Sequence, residues 1–385
     1  MRKTIVGGAL LGAFAISAQA QSSVTLYGLI DAGLVYTSNQ GGHSAWQESS
    51  GAVSNTVFGL KGTEDLGGGL RAIFRLESGY NVNNGSLYYK NTIFGRQAYV
   101  GLQSDQYGTL TLGRQYDSVV DYLGPIALAN YGDGNNLSAH PFDNDNVDDF
   151  FSLNNTVKYT SPTFAGVTFG GLYGFSNQAG RFANNRAYSL GASYANGPLN
   201  VAAAYLQLNN GGGGPLGTNP NGGALEAQNG DANFTAQRQR VVGVGGNYTI
   251  GPAVIGLLWT HSMYDNTTSV LNGAFAVPNA NLRFDNYEVN GHYALTPALS
   301  LSGAYTFTNG RYSSASGGAR PKWHQVSLMS DYSLSKRTDV YLEGVYQHAS
   351  GGPAGSVFST AAINGLTPSS TNSQTAVTVG IRHRF

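Results

Sequence analysis

From Ser23 to the last residue, apolar and polar positions alternate with a period of two, the signature of strands with two different faces. Val24, Leu26, Gly28 and Ile30 alternate with Ser23, Thr25, Tyr27 and Leu29. Val167, Phe169, Gly171, Tyr173 and Phe175 do the same, as do Leu299, Leu301, Gly303, Tyr305 and Phe307, and Val340, Leu342, Gly344 and Tyr346. No comparable helical stripe interrupts them. The final eleven residues, TAVTVGIRHRF, set Val377, Val379, Ile381 and Phe385 on one side of an extended chain. Ala376, Thr378, Arg382 and Arg384 fall on the other. Chain ends fray unless something holds them, so this one needs a partner strand.

The connections alternate too. Short turns, among them Glu64–Gly69, Asn196–Pro198, Leu295–Ala298 and Leu334–Arg337, take turns with long polar segments. The long ones are Ser38–Gly51, Asn81–Asn91, Ser118–Phe151, Asn209–Ala236, Asp265–Asn281 and Gly351–Asn372. The strand-like segments lie at about 23–37, 52–63, 69–80, 92–104, 107–117, 153–161, 165–175 and 186–195. They continue at about 199–208, 237–250, 253–264, 282–295, 298–310, 321–333, 337–349 and 373–385. Short turns on one rim and long loops on the other describe an all-β fold, a transmembrane antiparallel β-barrel of 16 strands, wide enough for an aqueous lumen. An unpaired sheet edge is not tolerated in hydrocarbon. The last strand must therefore close on the first, with Phe385 at the interfacial belt that favours aromatics.

Met1-Arg2-Lys3, the apolar stretch Ile5–Ile16 and Ala18-Gln19-Ala20 predict a secretory leader over residues 1–20, with the barrel domain over 21–385. The apolar stretch is too short to span a bilayer. The chain has no Cys, 54 Gly, 24 Tyr and only 11% charged residues, where about a quarter is usual for soluble domains. The 21 basic residues, less the leader's two, face 21 acids, so the mature chain is weakly acidic. No basic cluster invites a nucleic acid.

Several stretches together resemble the Gram-negative general porins of betaproteobacterial and neisserial type. They are SSVTLYGLIDAGL (22–34), GLKGTEDLGGGLRAIFRLESGY (59–80), FGRQAYVGLQSDQYGTLTLGRQYDSVVDYLG (94–124), HPFDNDN (140–146), NNTVKYTSPTFAGVTFGGLYGFS (154–176), LSKRTDVYLEGVYQ (334–347) and the final strand ending in Phe. The resemblance covers essentially the whole mature chain. It implies a homotrimer in outer-membrane lipid, a third loop folded into the barrel, and passive diffusion of ions and small hydrophilic solutes. It implies that Arg96 points into a constriction and that Arg114, which shares a face with Leu110 and Leu112, faces the trimer contact. It also implies that assembly machinery of the outer membrane reads Phe385. No enzyme activity, cofactor or metal follows from it.

Parity extends the constriction. Arg71, Arg75 and Glu77 share the inward face of their strand, because Leu70, Ala72, Phe74 and Leu76 take the other. The family's neighbouring wall arginines are missing, since Val57 and a position near Ser152 stand in their places. Arg75 is expected to replace the first and Lys158 the second, against Asp121 near the root of the third loop and Asp133 near its tip. With two wall charges fewer, and screening over about 8–10 Å, the expectation is a pore of mild selectivity.

Other readings carry less. Ser333-Leu-Ser-Lys336 fits S-x-x-K, but that motif acts from a helical turn and here joins two strands. GTEDLGGGL has no helix after it to hold a phosphate. The acidic run Asp143–Asp149 breaks the calcium-loop pattern and reads as a solvated loop, with weak divalent binding as its alternative. The seven His show no ligand spacing. A solute-selective channel of the same fold, an outer-membrane enzyme and a secreted adhesin remain as alternative functions.

Overall fold

The computed structural model describes residues 23–131, 134–211 and 222–385; the expected leader and Asp133 lie outside them. One antiparallel sheet of 19 strands curls into a closed wall. Three of the strands, His43–Ser50, Phe234–Thr235 and Gly317–Ala319, are short additions at the loop rim. The other sixteen are the staves. They are β1 (Ser23–Gln40), β2 (Val57–Gly67), β3 (Leu70–Gly79), β4 (Gln97–Ser104), β5 (Gly108–Gln115), β6 (Leu153–Thr160), β7 (Val167–Gly174) and β8 (Arg186–Asn196). They continue as β9 (Leu199–Asn209), β10 (Arg238–Ile250), β11 (Ala253–Val270), β12 (Phe275–Ala294), β13 (Leu299–Ser314), β14 (Lys322–Ser333), β15 (Thr338–Ser350) and β16 (Ser373–Arg384).

The seam closes as the alternation requires. β16 pairs with β1 from Leu29↔Arg384 to Thr37↔Ala376, so no edge is left. Val377, Val379 and Ile381 face outward, whereas Ala376, Thr378 and Arg382 are buried inward. Phe385 exchanges two backbone hydrogen bonds of 3.1 Å with Gly28. A Cβ on Gly28 would meet the Phe385 ring at 2.4 Å, so the terminal aromatic lies flat over a residue that has to be glycine. Around the wall, Leu, Val and Tyr side chains point out and Thr, Ser, Gln and charged residues point in.

Three loop expectations are corrected. Asp265–Asn281 is not a polar loop. β11 and β12 run on to Val270 and back from Phe275, because Val270, Val277, Leu282 and Phe284 keep the alternation going and bury into an aromatic cluster with Tyr264, Trp323 and Phe358. The strand expected to start at 52 starts at Val57. Gly51–Thr56 instead turns into the lumen, where Asp31 accepts the N–H groups of Val53 (3.0 Å) and Ser54 (2.6 Å). The acidic run Asp143–Asp149 is not solvated: Asp143, Asp145, Asp148 and Asp149 are all buried. It lies within the segment 118–151, whose contacts place it inside the barrel.

That segment touches opposite walls. Near its root, Val119, Leu123 and Ile126 pack on inward residues of β7–β11, such as Leu172, Leu206 and Val241. Farther on, Asn290 donates to the Ile126 carbonyl (2.8 Å), Gln325 to the carbonyls of Ser138 (2.9 Å) and Ala139 (3.0 Å), and Ser138 to Glu343 (3.2 Å). A chain that reaches β9, β12, β14 and β15 in turn must cross the lumen. The loop after β9 follows it inward, with Ala224, Leu225 and Ala232 in the same apolar cluster.

Candidate pore constriction

Three polar cavities line up through the barrel. One of about 340 Å³ opens among the long loops, one of about 650 Å³ lies in the lower half of the wall, and one of about 580 Å³ reaches the short turns. The first two have five residues in common: Asn55, Arg96, Asn136, Asp148 and Asp149. The second and third meet at Gly134 and Arg384. A residue that lines two neighbouring cavities stands at the junction between them, so the five mark the candidate neck.

Arg96 is the hub of that neck. It precedes β4, is 7% exposed, and forks onto Asp149 with bonds of 3.1 and 2.9 Å while its Nε donates to Glu77 (3.0 Å). Paired parallel bonds from one guanidinium fix both charge and orientation. Glu77 on β3 also receives Arg75, and the Tyr27 hydroxyl (2.8 Å), which in turn accepts from Arg75 Nε (2.7 Å). From Asp149 the network crosses to the inward-turned segment: Asn55 donates to Asp149 (3.2 Å), and Asn136 to the Gly51 carbonyl (2.8 Å). Asn364, from the last long loop, donates to Asp148 (2.9 Å). Burial and the neighbouring Asp143 and Asp149 raise the Asp148 carboxyl well above the usual range, toward its neutral form. Lys158 on β6 pairs with Asp121 and donates to the Tyr116 carbonyl (2.9 Å).

The structure thus brings Arg75, Glu77, Arg96, Asp121 and Lys158 around one cavity. Arg71 does not join them. It sits beside the β2–β3 turn and pairs with exposed Asp105 at the rim, because inward parity near a strand end leads to the vestibule and not to the neck. Arg114 finds its acid within its own chain. It is 8% exposed and donates to Asp231 (2.7 Å), Asn154 (2.7 Å) and the carbonyls of Gly95 (2.7 Å) and Ser152 (3.1 Å). Those four bonds give Arg114 its acid and its carbonyl partners within one chain. Ser333 ends β14 and Lys336 lies in the turn that follows, without the helix that S-x-x-K requires. Among the described residues no cluster of three or more His, Asp or Glu is set to hold a metal.

Sequence reasoning missed Asp148, Asp149, Asn55, Asn136 and Asn364, and a second charged group on β14–β16. There Arg382 binds Asp339 (2.6 Å), Asp331 and Ser54 (2.9 Å), and Arg384 binds Asp339 (2.5 Å). The signal for this group was present in the inward parity of Arg382 and Arg384.

Comparison with known proteins agrees with this architecture. A family model for Gram-negative porins matches residues 7–352. The chain belongs to the Gram-negative porins. This porin is 32% identical to an outer membrane porin protein of Bordetella pertussis and 28% identical to outer membrane porin protein 32 of Delftia acidovorans, in each case over 100% of both chains. The anion-selective porin from Comamonas acidovorans has the same fold, with a TM-score of 0.72 at 24% identity, covering 94% of this porin and 100% of that chain. The protein is an outer-membrane channel for passive diffusion of ions and small hydrophilic solutes.

Proposed function

We propose that this porin works as a homotrimer of weakly anion-preferring channels, with the neck at Arg96 and Asp149 setting the preference. The observation that carries the reading is the charge census of the central cavity. Arg75, Arg96, Lys158 and Arg384 face Glu77, Asp121, Asp148 and Asp149, four against four. Burial and its acidic neighbours push Asp148 toward its neutral form, which tilts the even count toward the cations. Rings of charge at close quarters set ion preference, and a balance this near to even gives a weak one. The relative from Comamonas acidovorans is described as anion-selective, in the same direction. The trimer has support from a solved outer membrane protein of Vibrio cholerae in trimer form.

The test is the reversal potential of the purified protein in a planar bilayer under a salt gradient. Wild type should lie slightly on the anion side. The double variant Arg75→Gln/Arg96→Gln should move to the cation side, and an unmoved potential would place the selective neck elsewhere. Phe385 belongs to the same proposal as the residue that registers the closing strand. Its deletion removes the ring over Gly28 and should sharply lower the yield of membrane-inserted barrel. Full yield from the deletion would remove it from assembly.

A further inference from the structure

The cavity on the loop side of the neck, about 340 Å³, has a lining that ion preference does not use. Ligand pockets run from about 300 Å³ upward, so it has room for a small solute. An aromatic ring stands in it. Tyr88, in the loop between β3 and β4, is 50% exposed. It is nevertheless fixed in place: its N–H donates to the Gly79 carbonyl (2.9 Å), and its ring meets Tyr89 edge-on at 5.1 Å. Tyr89 is buried and donates its hydroxyl to the Phe150 carbonyl (2.9 Å). A Cβ on Gly79 would press on Tyr88 at 3.2 Å and on Arg96 at 3.3 Å, so this glycine lets the ring stand beside the neck arginine.

The polar groups around the ring are mostly amides. Asn55, Asn136 and Asn364 are half-buried and line the same cavity. They come from three separate segments and orient one another. Asn136 donates to Asn55 (3.4 Å), and Asn364 donates to the Asn136 carbonyl (3.1 Å) and to Asp148 (2.9 Å). Among the described residues nothing donates to the side-chain oxygens of Asn136 and Asn364, and neither oxygen is sealed from water. Each offers acceptor lone pairs to whatever fills the cavity. The charges, by contrast, are satisfied. Arg96 is engaged by Glu77 and Asp149, and burial with the neighbouring Asp143 and Asp149 pushes Asp148 toward its neutral form. Glu48 stands exposed at the outer edge, where a single carboxylate in water attracts little.

We propose that this vestibule binds an uncharged mono- or disaccharide, with one ring face on Tyr88 and its hydroxyls on Asn136, Asn364 and Asp148. The axial C–H bonds of a pyranose give it a weakly positive apolar face, which suits the negative face of an aromatic ring. A sugar hydroxyl both donates and accepts, and the amides are held in position before it arrives, so little ordering is needed on binding. An apolar solute would bury the amide oxygens without partners, at a cost. An ion would meet no unpaired counter-charge beside the ring. Only the blocking of current by bound sugar rests on the neck proposed above.

The test compares ligands of one skeleton and different charge: glucose, glucuronate and protonated glucosamine. With purified porin in detergent, glucose should receive nuclear magnetic saturation transfer from the protein's aromatic protons. In a planar bilayer it should lower the single-channel current saturably, beyond the change in bulk conductivity. Tyr88→Ala should weaken glucose binding roughly tenfold, near the upper end of what an aromatic contact adds beyond its area, whereas Tyr88→Trp should keep it. Both variants should conduct with the wild-type reversal potential, as intact barrels do. Saturation transfer without current block would support the site and place the neck away from it. Tighter binding of glucuronate would make this an anion site, tighter binding of glucosamine a cation site, and either result overturns the proposal. So would the absence of saturation transfer to glucose, undiminished binding in Tyr88→Ala, or an equal loss in Tyr88→Ala and Tyr88→Trp.

Discussion

The two halves of the inward loop are held by different forces. Its outgoing half is held by shape. A helical turn at Ser118–Tyr122 leads into Val119, Leu123 and Ile126, each buried in the apolar cluster on β7–β11. Tyr122 lies so close over Gly191 that a Cβ there would meet its ring at 2.2 Å. Its returning half is held by charge. His140 has one ring nitrogen on Asp145 (2.7 Å) and the other on Glu288 of β12 (2.9 Å), all three fully buried. Asp149 then takes Arg96, and Phe142 between them sits at φ +64°, its ring locked against Trp323 and Phe358. An apolar anchor tolerates any pH and has no electrical consequence. A charged anchor titrates, and near the water path it also sets the field. The channel places the charged half at the proposed neck.

The strongest way to break this contrast is His140→Leu. Two buried carboxylates would lose their cation, and removing one partner of a buried ion pair costs about 3–5 kcal/mol. Wild type carries a pH signature to match. Burial alone would lower the His140 pKa, but Asp145 and Glu288 raise it to about 10. A folded-state pKa above the unfolded value near 6.5 gives stability that is complete below about pH 6.5 and lost as pH rises through about 10. Urea unfolding in detergent should show that loss in wild type, and none of it in the His140 variant.

Next is Leu123→Ala on the other half. Truncating a fully buried leucine costs ~2–5 kcal/mol, and here the loss should be the same at pH 6 and at pH 9. A pH-dependent loss would mean that the two halves are coupled and the contrast is wrong.

The same contrast explains what the sequence made legible. Wall parity is a local property. Residue by residue it placed Arg75 and Glu77 inward and Leu110 and Leu112 outward, while Arg96 came from the resemblance and Lys158 from the gap left by a missing wall charge. That the loop turns inward was legible through the resemblance, but the apolar packing of its root was not. What stayed hidden depends on where a long loop lands. Asp149 reads as one acid in a polar run, and only the packing of Phe142 and His140 on β12 and β14 delivers it to Arg96. Gly51–Thr56 alternates well enough to pass for a strand, but the carboxylate of Asp31 offers its N–H groups a better partner inside. Arg382 and Arg384 had the right parity, but their acids, Asp331 and Asp339, come from β14 and β15, and nothing local joins the three strands.

Asp149→Asn is the third test, on the charged half where it meets the water. It keeps the size of the side chain and removes a charge-assisted pair, a loss of about 1.5–3 kcal/mol. Arg96 would retain Glu77 (3.0 Å) with one acid fewer beside it, so the reversal potential should move further toward anions. A large stability loss without that movement would show Asp149 to be a fastening and not part of the field.

The smallest effect is expected from Asp121→Asn, which asks whether the outgoing half owes anything to charge. Asp121 pairs with Lys158, but its side chain is 31% exposed and its half of the loop is already fixed by Leu123 and Ile126. Partly exposed ion pairs contribute about 0–1 kcal/mol, so unfolding should scarcely change. Lys158 keeps the Tyr116 carbonyl as acceptor and would stay in place with its charge uncompensated on the cavity wall. The reversal potential should therefore shift toward anions, by less than in Asp149→Asn because Asp121 lines the cavity below the neck and not the neck itself. A shift equal to or larger than that of Asp149→Asn would move the narrow point down to Lys158. A stability loss comparable to Leu123→Ala would show that charge holds both halves.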